Sequence, residues 1–309
     1  HIADDLSGSD SAEEIVATLN DAYFSKWGFT VDAEDTSGQN PENLFLHTVL
    51  DRKTGYCLSL SIPYLCLSER LNVPFYGVPA PGHFFVRYDD GNTTINIETT
   101  SNGAVVDDNC YVEKYQLAYP HPFYLKHLSK KNVLAIFLNN LGNLYNRAGH
   151  PLKAIHALEI AVNLIPDYPE AHTNLGSAYL ENDYFDLALQ HQRKAIALNP
   201  QMAGAYVNLG SALFANGSYE EAIAANRQAL DIEPALANAH INMARIYYEI
   251  KEYHKARQAL ERAQRLKPHS ADTSTLLGNI FRGLGQANEA IAAYHQAISL
   301  NAADTNPRV

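Results

Sequence analysis

A small residue returns every 34 positions through the second half of this 309-residue chain. The pair Leu141-Gly142 recurs as Leu175-Gly176, Leu209-Gly210, Met243-Ala244 and Leu277-Gly278. Three positions after the small residue stands a large one: Tyr145, Tyr179, Leu213, Tyr247 and Phe281. Twelve positions after it comes Ala154, Ala188, Ala222, Ala256 or Ala290, and then Ala161, Ala195, Ala229, Ala263 or Ala297. Pro166, Pro200, Pro234 and Pro268 close four copies, and Ala302 stands at that place in the fifth. Small residues let two antiparallel helices approach closely, and the large ones fill the space beside them. Proline ends the second helix because it lacks an N–H and clashes with the preceding turn. Each helix pair buries its apolar face on its neighbour, so a period of this length specifies a stacked array.

The pattern resembles the tetratricopeptide repeat (TPR), in five copies at about 135–168, 169–202, 203–236, 237–270 and 271–304. The resemblance implies an all-α superhelix over 134–309, with a concave surface that holds polypeptide. Before the paired positions stand Asn140, Asn174, Asn208 and Asn242, with Leu276 in the last copy. A carboxamide both donates and accepts, so such a row can pair with the backbone of an extended peptide without reading its sequence. It resembles the asparagine ladder in the TPR superhelix of O-GlcNAc transferase. Asn143, Arg147, Phe214, Arg245 and Tyr248 are expected on the same face and complete the candidate peptide-binding set.

The chain carries 34 acidic and 23 basic residues, a net charge of −11. Residues 1–35 hold nine acids and one base, and the array is nearly balanced. With no long Lys/Arg run, the chain is a poor nucleic-acid binder, because phosphate neutralisation needs clustered positive charge. No apolar stretch reaches the length of a membrane span. The expected compartment is the cytoplasm, with the periplasm or secretion as the alternative if a leader preceded His1. Cys57, Cys66 and Cys110 are too few and too scattered for a disulfide framework, and no C-x-x-C suggests zinc. No metal and no cofactor is expected. Oligomeric state is left open.

The first half reads differently. Residues 1–10 are expected to be a disordered acidic arm. Ser11-Ala-Glu-Glu14 is a capping-box signature for a helix to about Lys26, followed by a polar loop over 31–39. Asn40-Pro41 reads as N-cap and first-turn proline for a helix to about Leu50. A glycine turn at Gly55 leads into a helix that is apolar on most sides, with Cys57 in its first turn. Val73–Val78 and Phe84–Tyr88 read as strands. Asp89-Asp90-Gly91-Asn92 is a hairpin turn, and Thr94–Glu98 is the return strand. Asp107-Asp108 and Cys110 are expected in a loop. Residues 111–131, with Pro120 and Pro122, read as a linker that packs the two domains together.

This order is a helix with cysteine, a strand, a strand opened by histidine, and a strand ending in an acid. It resembles the transglutaminase-like, papain-like superfamily over roughly 40–105. Arg52-Lys-Thr-Gly55 and Pro81-Gly-His-Phe84 resemble the two motifs of its SirB-type branch. The resemblance implies an α+β domain over 1–133, with Cys57 as nucleophile, His83 as base and Glu98 as third member, where the superfamily usually has Asp. Many SirB-type proteins lack a full set, so a complete one argues for retained catalysis.

The chemistry suits these residue types. The thiolate is the attacking species, and both a helix N-terminus and an adjacent imidazolium favour it. The imidazolium can then protonate the leaving amine of an amide. A carboxylate on the far ring nitrogen fixes tautomer and orientation. Asn96 points the same way as Glu98 by strand alternation and is the alternate third member. The residue six before Cys57 is Asp51, so the oxyanion hole would come from backbone N–H groups near Cys57 rather than from an upstream Gln. Cys66 lies about 180° from Cys57 around the helix and is expected in the core. The histidines of the array (His172, His240, His254, His295) are expected to face solvent or pack.

Two functions fit. The first is a cysteine-dependent acyl-transfer enzyme on polypeptide amide bonds, a peptidase or amidase before a transamidase or deamidase, fed by the TPR groove. The alternative is a non-catalytic TPR scaffold with a degenerate transglutaminase-like module. The third prospect is that the array holds the acidic arm or a second copy of the chain.

Overall fold

The computed structural model describes residues 2–6, 11–35, 40–117, 123–266 and 270–304. Residues 7–10 of the arm, 36–39 of the polar loop, Pro120, Pro122 and Pro268 lie outside them, as does His1. The chain divides into two compact units, one of residues 1–148 with 159–167 and the other of 149–158 with 168–309. Each is described by itself.

In the first unit, helix α1 (Ile2–Leu6) replaces part of the expected disordered arm, because Leu6 packs against the core. Helix α2 (Ala12–Asn20) starts where Ser11 Oγ accepts the Glu14 N–H. It continues through Asp21–Lys26 as a π-helical turn, which buries Tyr23 and Phe24 together. Strand β1 (Thr30–Val31) pairs in parallel with β2 (Thr54–Gly55). The expected 40–50 helix is broken. Asn40 caps a 3-10 turn at Pro41–Asn43, and α3 (Leu46–Arg52) starts afresh after Phe45. Lys53, with φ 62°, ends α3 in the left-handed region. Helix α4 (Cys57–Arg70) follows at once.

Strands β3 (Phe75–Ala80), β4 (His83–Asp89), β5 (Thr94–Glu98) and β6 (Ala104–Val105) form an antiparallel meander in that order. Alternation gives its two faces different tasks. Phe75, Val86, Tyr88 and Ile97 join Tyr64 of α4 and Tyr23 in one core. Val78, Ala80 and Phe85 join Tyr111, Tyr124 and Leu125 on the other side. Tyr111 belongs to α5 (Asp108–Tyr115), so the expected loop around Asp107-Asp108 and Cys110 is a helix, with Asp107 as its cap. Leu125 and Leu128 donate their N–H groups to Pro79 and Gly77 and so cover the outer edge of β3.

The remaining elements are α6 (Lys130–Arg147), α7 (Pro151–Leu164), α8 (Pro169–Leu180), α9 (Phe185–Leu198), α10 (Ala203–Ala215), α11 (Tyr219–Ile232), α12 (Ala237–Glu249), α13 (Tyr253–Leu266), α14 (Ala271–Gly283) and α15 (Ala287–Asp304). Helix α6 lies in the first unit, and α7 is divided between the two. In the second unit the 34-residue period has a direct steric origin. A Cβ on Gly176, Gly210 or Gly278 would sit 2.5, 2.2 or 2.5 Å from the side chain of Gln192, Asn226 or Tyr294. Each of these lies 16 residues on, in the second helix of its pair. Ala244 fits the same place because its counterpart is Leu260, in a shared apolar cluster. A second periodicity lies in the turns. Gly149, Asp183, Gly217, Lys251 and Gly285 all have φ between 61° and 78°, which is the left-handed residue that ends a helix.

Candidate active site

The segment before Cys57 is held by side chains that the sequence presents as surface charge. Tyr56 Oη donates to Asp35 and to the Asn40 carbonyl (2.8 Å). Asn43 donates to Asp32 (2.8 Å) and Asp35 (3.3 Å). Arg52 pairs with Glu42 (3.3 Å) and Asp32 (3.5 Å). Part of the N-terminal acidity therefore anchors the start of α4. Gly55 must be glycine for a steric reason, since a Cβ there would lie 2.7 Å from Ser59 Oγ. That hydroxyl accepts the Tyr56 N–H at 2.9 Å. Behind the cysteine, Ser61 and Thr99 hydroxyls donate to the Cys57 carbonyl (2.6 and 3.2 Å). The first turn of α4 is thus fixed on both sides, and its leading N–H groups have no helical partners.

His83 enters from the opposite element. Ala80 and His83 are paired across a two-residue turn, Pro81-Gly82, with φ +64° at Gly82. Proline sets the first turn residue and only glycine adopts the second without strain. The turn places His83 as the first residue of β4. The Cys57 thiol lies close enough to favour the charged form of the His83 ring. Its Nε2 lies 2.9 Å from both oxygens of Glu98. That leaves Nδ1 as the ring nitrogen available to the thiol. Side-chain exposure is 17% for His83 and 11% for Glu98, so solvent screens the pair weakly.

Burial works against charge on His83, but hydrogen bonds and charge from Cys57 and Glu98 outweigh it and raise its pKa to about 9. Burial also works against charge on Glu98, but His83 and then Tyr111 outweigh it and hold the carboxyl below the usual range. Tyr111 Oη donates to Glu98 Oε1, and its ring stacks on Phe85 at 4.4 Å. Burial and Glu98 push the Tyr111 phenol well up, so it stays a donor. Sequence reasoning placed Tyr111 in a linker. No local motif marks it, because its role depends on α5 crossing the sheet.

Asn96 shares the sheet face with Glu98 but serves another cluster. Its Oδ1 accepts from Arg87 Nε (2.6 Å), and its amide donates to Val106 O (3.0 Å) and Asp108 (2.7 Å). It is not the partner of His83. Cys66 is exposed, contrary to the expected core position, because that side of α4 faces a groove lined by Trp27, Leu50 and Arg70. Cys110 is exposed too.

The candidate peptide-binding residues divide between the units. Asn140, Asn143 and Arg147 are on α6, in the first. Asn174, Asn208, Phe214, Asn242, Arg245 and Tyr248 are on α8, α10 and α12, in the second. Asn208 and Asn242 donate to Ser177 and Ser211, each at 2.9 Å, and so tie successive first helices. Phe214 and Tyr248 pack on Tyr219 and Tyr253, each at 5.8 Å. Arg245 is exposed. Among the described residues no group of three metal-binding side chains occurs, and no helix is long and apolar enough to cross a membrane.

A helix-borne cysteine facing a strand-borne histidine and acid, ahead of stacked helical hairpins, defines the class. The chain is a transglutaminase-like domain followed by several TPR repeats. Residues 1–139 match the model of the transglutaminase-like superfamily. Residues 139–203, 182–237, 213–280 and 271–304 match tetratricopeptide repeat models. A UPF0162 protein of Xylella fastidiosa is 27% identical over 184 residues, covering 54% of this chain and 61% of its own length. Human F-box only protein 21 is 32% identical over 126 residues, 36% of this chain and 19% of that protein. The chain thus spans about three-fifths of the UPF0162 relative's length. A thermophilic TPR protein of Thermus thermophilus shares the helical fold. Its TM-score is 0.50 at 24% identity, over 54% of this chain and 91% of that one. The TPR repeats indicate a role in protein–protein interaction.

Proposed function

We propose that the protein is a cysteine-dependent acyl-transfer enzyme acting on polypeptide amide bonds, as a peptidase or amidase. The observation that carries this reading is the His83–Glu98 pair, at 2.9 Å, whose imidazole is held in its charged form by Glu98 and by Cys57 beside it. The Cys57 thiolate attacks the amide carbonyl and forms a C–S bond. The oxyanion is met by N–H groups at the start of α4, which need no reorganisation to receive the developing charge. The C–N bond then breaks, and His83 gives its proton to the leaving amine. A thioester remains on Cys57. Water, or a second amine in a transamidation, gives a proton to His83 and attacks the thioester, which restores the thiolate.

Glu98 keeps the imidazole oriented throughout and stabilises its charged form. The TPR repeats recruit the polypeptide. Asn242 Nδ2 spends its two N–H groups on Ser211 and Val207 and Asn208 spends one on Ser177, so both keep Oδ1 to accept peptide N–H groups. Covalent linkage of recruiting and reacting parts raises the local substrate concentration, by ~10²–10⁴ in avidity where geometry allows.

The test is an acyl-enzyme assay with an N-acetylglycine 4-nitrophenyl ester. A stoichiometric burst of nitrophenol is expected, with the acyl mass on the Cys57 peptide and none in Cys57→Ala. An extended polypeptide should compete with the ester, and Asn208→Ala/Asn242→Ala should raise the concentration needed. Acylation spread evenly over Cys57, Cys66 and Cys110, or absent from Cys57, would leave the scaffold function in its place.

A further inference from the structure

A second cavity, of about 480 Å³, lies within the repeat unit, where α11, α12 and α13 meet. Its charged lining is Arg227 and Asp231 from α11, His240 from α12, and Lys255 and Arg262 from α13. His240 is 8% exposed, yet its ring has no hydrogen-bond partner among the described residues. Its ring nitrogens are not sealed from solvent, so they can bond what enters the cavity.

The charges around it are also unbalanced. Arg227 and Arg262 have no ion pair among the described residues. Lys255 is paired with Glu252 and lies within reach of Arg227's charge. Asp231 is the single carboxylate of the lining and takes a long bond, 3.4 Å, from Gln228. Burial, then Arg262 and Arg265, hold His240 below its ordinary value. It is therefore neutral near pH 7, with one N–H to give. Met243 and Tyr247 supply an apolar wall.

We infer that this cavity binds a small phosphorylated organic molecule, with the phosphoryl group between Arg227, Arg262 and His240 and the apolar body against Met243 and Tyr247. Two guanidinium forks and an imidazole arriving from three helices suit a tetrahedral group with several acceptor oxygens. The volume falls in the range of small-ligand sites, ~300–1,000 Å³. The site lies between the second helices α11 and α13 and the first helix α12, and uses none of the candidate peptide-binding residues.

The probe is phenyl phosphate, titrated into full-length protein carrying ring-labelled histidine, with the His240 signal assigned through His240→Gln. Phenyl phosphate should move that signal saturably and raise the pH at which it titrates. The sign follows because an anion favours the imidazolium against Arg227, Arg262, Arg265 and Lys255, which oppose it, with Asp231 the one fixed negative group. Arg227→Gln/Arg262→Gln should weaken binding at least tenfold. Arg227→Lys/Arg262→Lys, which keeps the charge but loses the forks, should weaken it less. Inorganic phosphate should bind more weakly than the phenyl ester. An unmoved His240 signal, equal binding by the double Gln variant, or equal shifts from phosphate and benzyl alcohol would each overturn the inference.

Discussion

Replacing His83 with glutamine should lower the reactivity of Cys57 toward iodoacetamide at pH 6 to the level of Cys66 and Cys110 and leave those two unchanged. Those two thiols are exposed and serve as references inside the same molecule. An ordinary thiol titrating near 8.5 is ~0.3% thiolate at pH 6, and alkylation runs through that fraction. A thiol that has passed its proton to His83 is already the reactive species. At pH 6, where His83 keeps its proton, the Cys57 rate should exceed that of the two references. Weaker intrinsic nucleophilicity offsets part of the gain, which leaves an advantage of roughly five- to tenfold at pH 6. Glutamine can still accept or donate at this place but cannot hold the charge. In His83→Gln the Cys57 rate should fall to that of the references. Peptide-resolved mass spectrometry reads all three sites at once. A wild-type Cys57 rate at pH 6 no higher than the references, or an advantage that survives His83→Gln, would remove His83 from the activation of Cys57.

The largest loss of stability is expected from Arg87→Met. Arg87 is 6% exposed in the middle of β4. It donates to Asn96 Oδ1 (2.6 Å), to the Leu125 carbonyl (3.1 Å) and to Asp108. One side chain thus joins β5, the start of α5 and the segment that covers the edge of β3. Methionine keeps much of the volume but leaves a carboxylate, an amide oxygen and a carbonyl without their donor. Breaking one side of such a pair costs ~3–5 kcal/mol when buried, and the partial exposure of Asp108, 30%, points to the lower end. Amide exchange over residues 75–117 should accelerate by two orders of magnitude or more, since each tenfold corresponds to about 1.4 kcal/mol. Adding Asp108→Leu should recover part of the loss, because the unpaired charge is then gone. Unchanged exchange in Arg87→Met would show that the cluster is dispensable.

What the sequence made legible was what repeats or sits next to its partner in the chain. The array announced itself because five copies of one steric solution keep one spacing. Strands β3, β4 and β5 were readable because Asp89-Asp90-Gly91-Asn92 carries local turn chemistry between runs of strand-forming residues. The position of Cys57 followed from a glycine before an apolar helix. What escaped depends on long-range placement. Tyr111 and Asp108 act across the sheet from α5, and no local pattern distinguishes them from loop residues. Cys66 follows the helical period correctly, yet the far side of α4 meets a groove rather than the core. Asn96 obeys strand alternation, but Arg87 and Asp108 claim it. The asparagine row was visible as a row. That Asn208 and Asn242 bond Ser177 and Ser211 was not, because the serines lie 31 residues earlier, on the preceding first helix.

The ionic link between Cys57 and His83 is the centre of this account, and the titration of His83 tests it most directly. Ring-labelled histidine in the full chain, assigned with His83→Gln, gives the protonation of that one imidazole against pH. His83 should keep its proton until about pH 9. In Cys57→Ala the midpoint should fall clearly, because hydrogen bonding and charge from Cys57 both favour the imidazolium, and Glu98 alone then holds it. A midpoint near that of free histidine in the wild type, or one that Cys57→Ala leaves in place, would contradict the pairing and with it the proposed nucleophile.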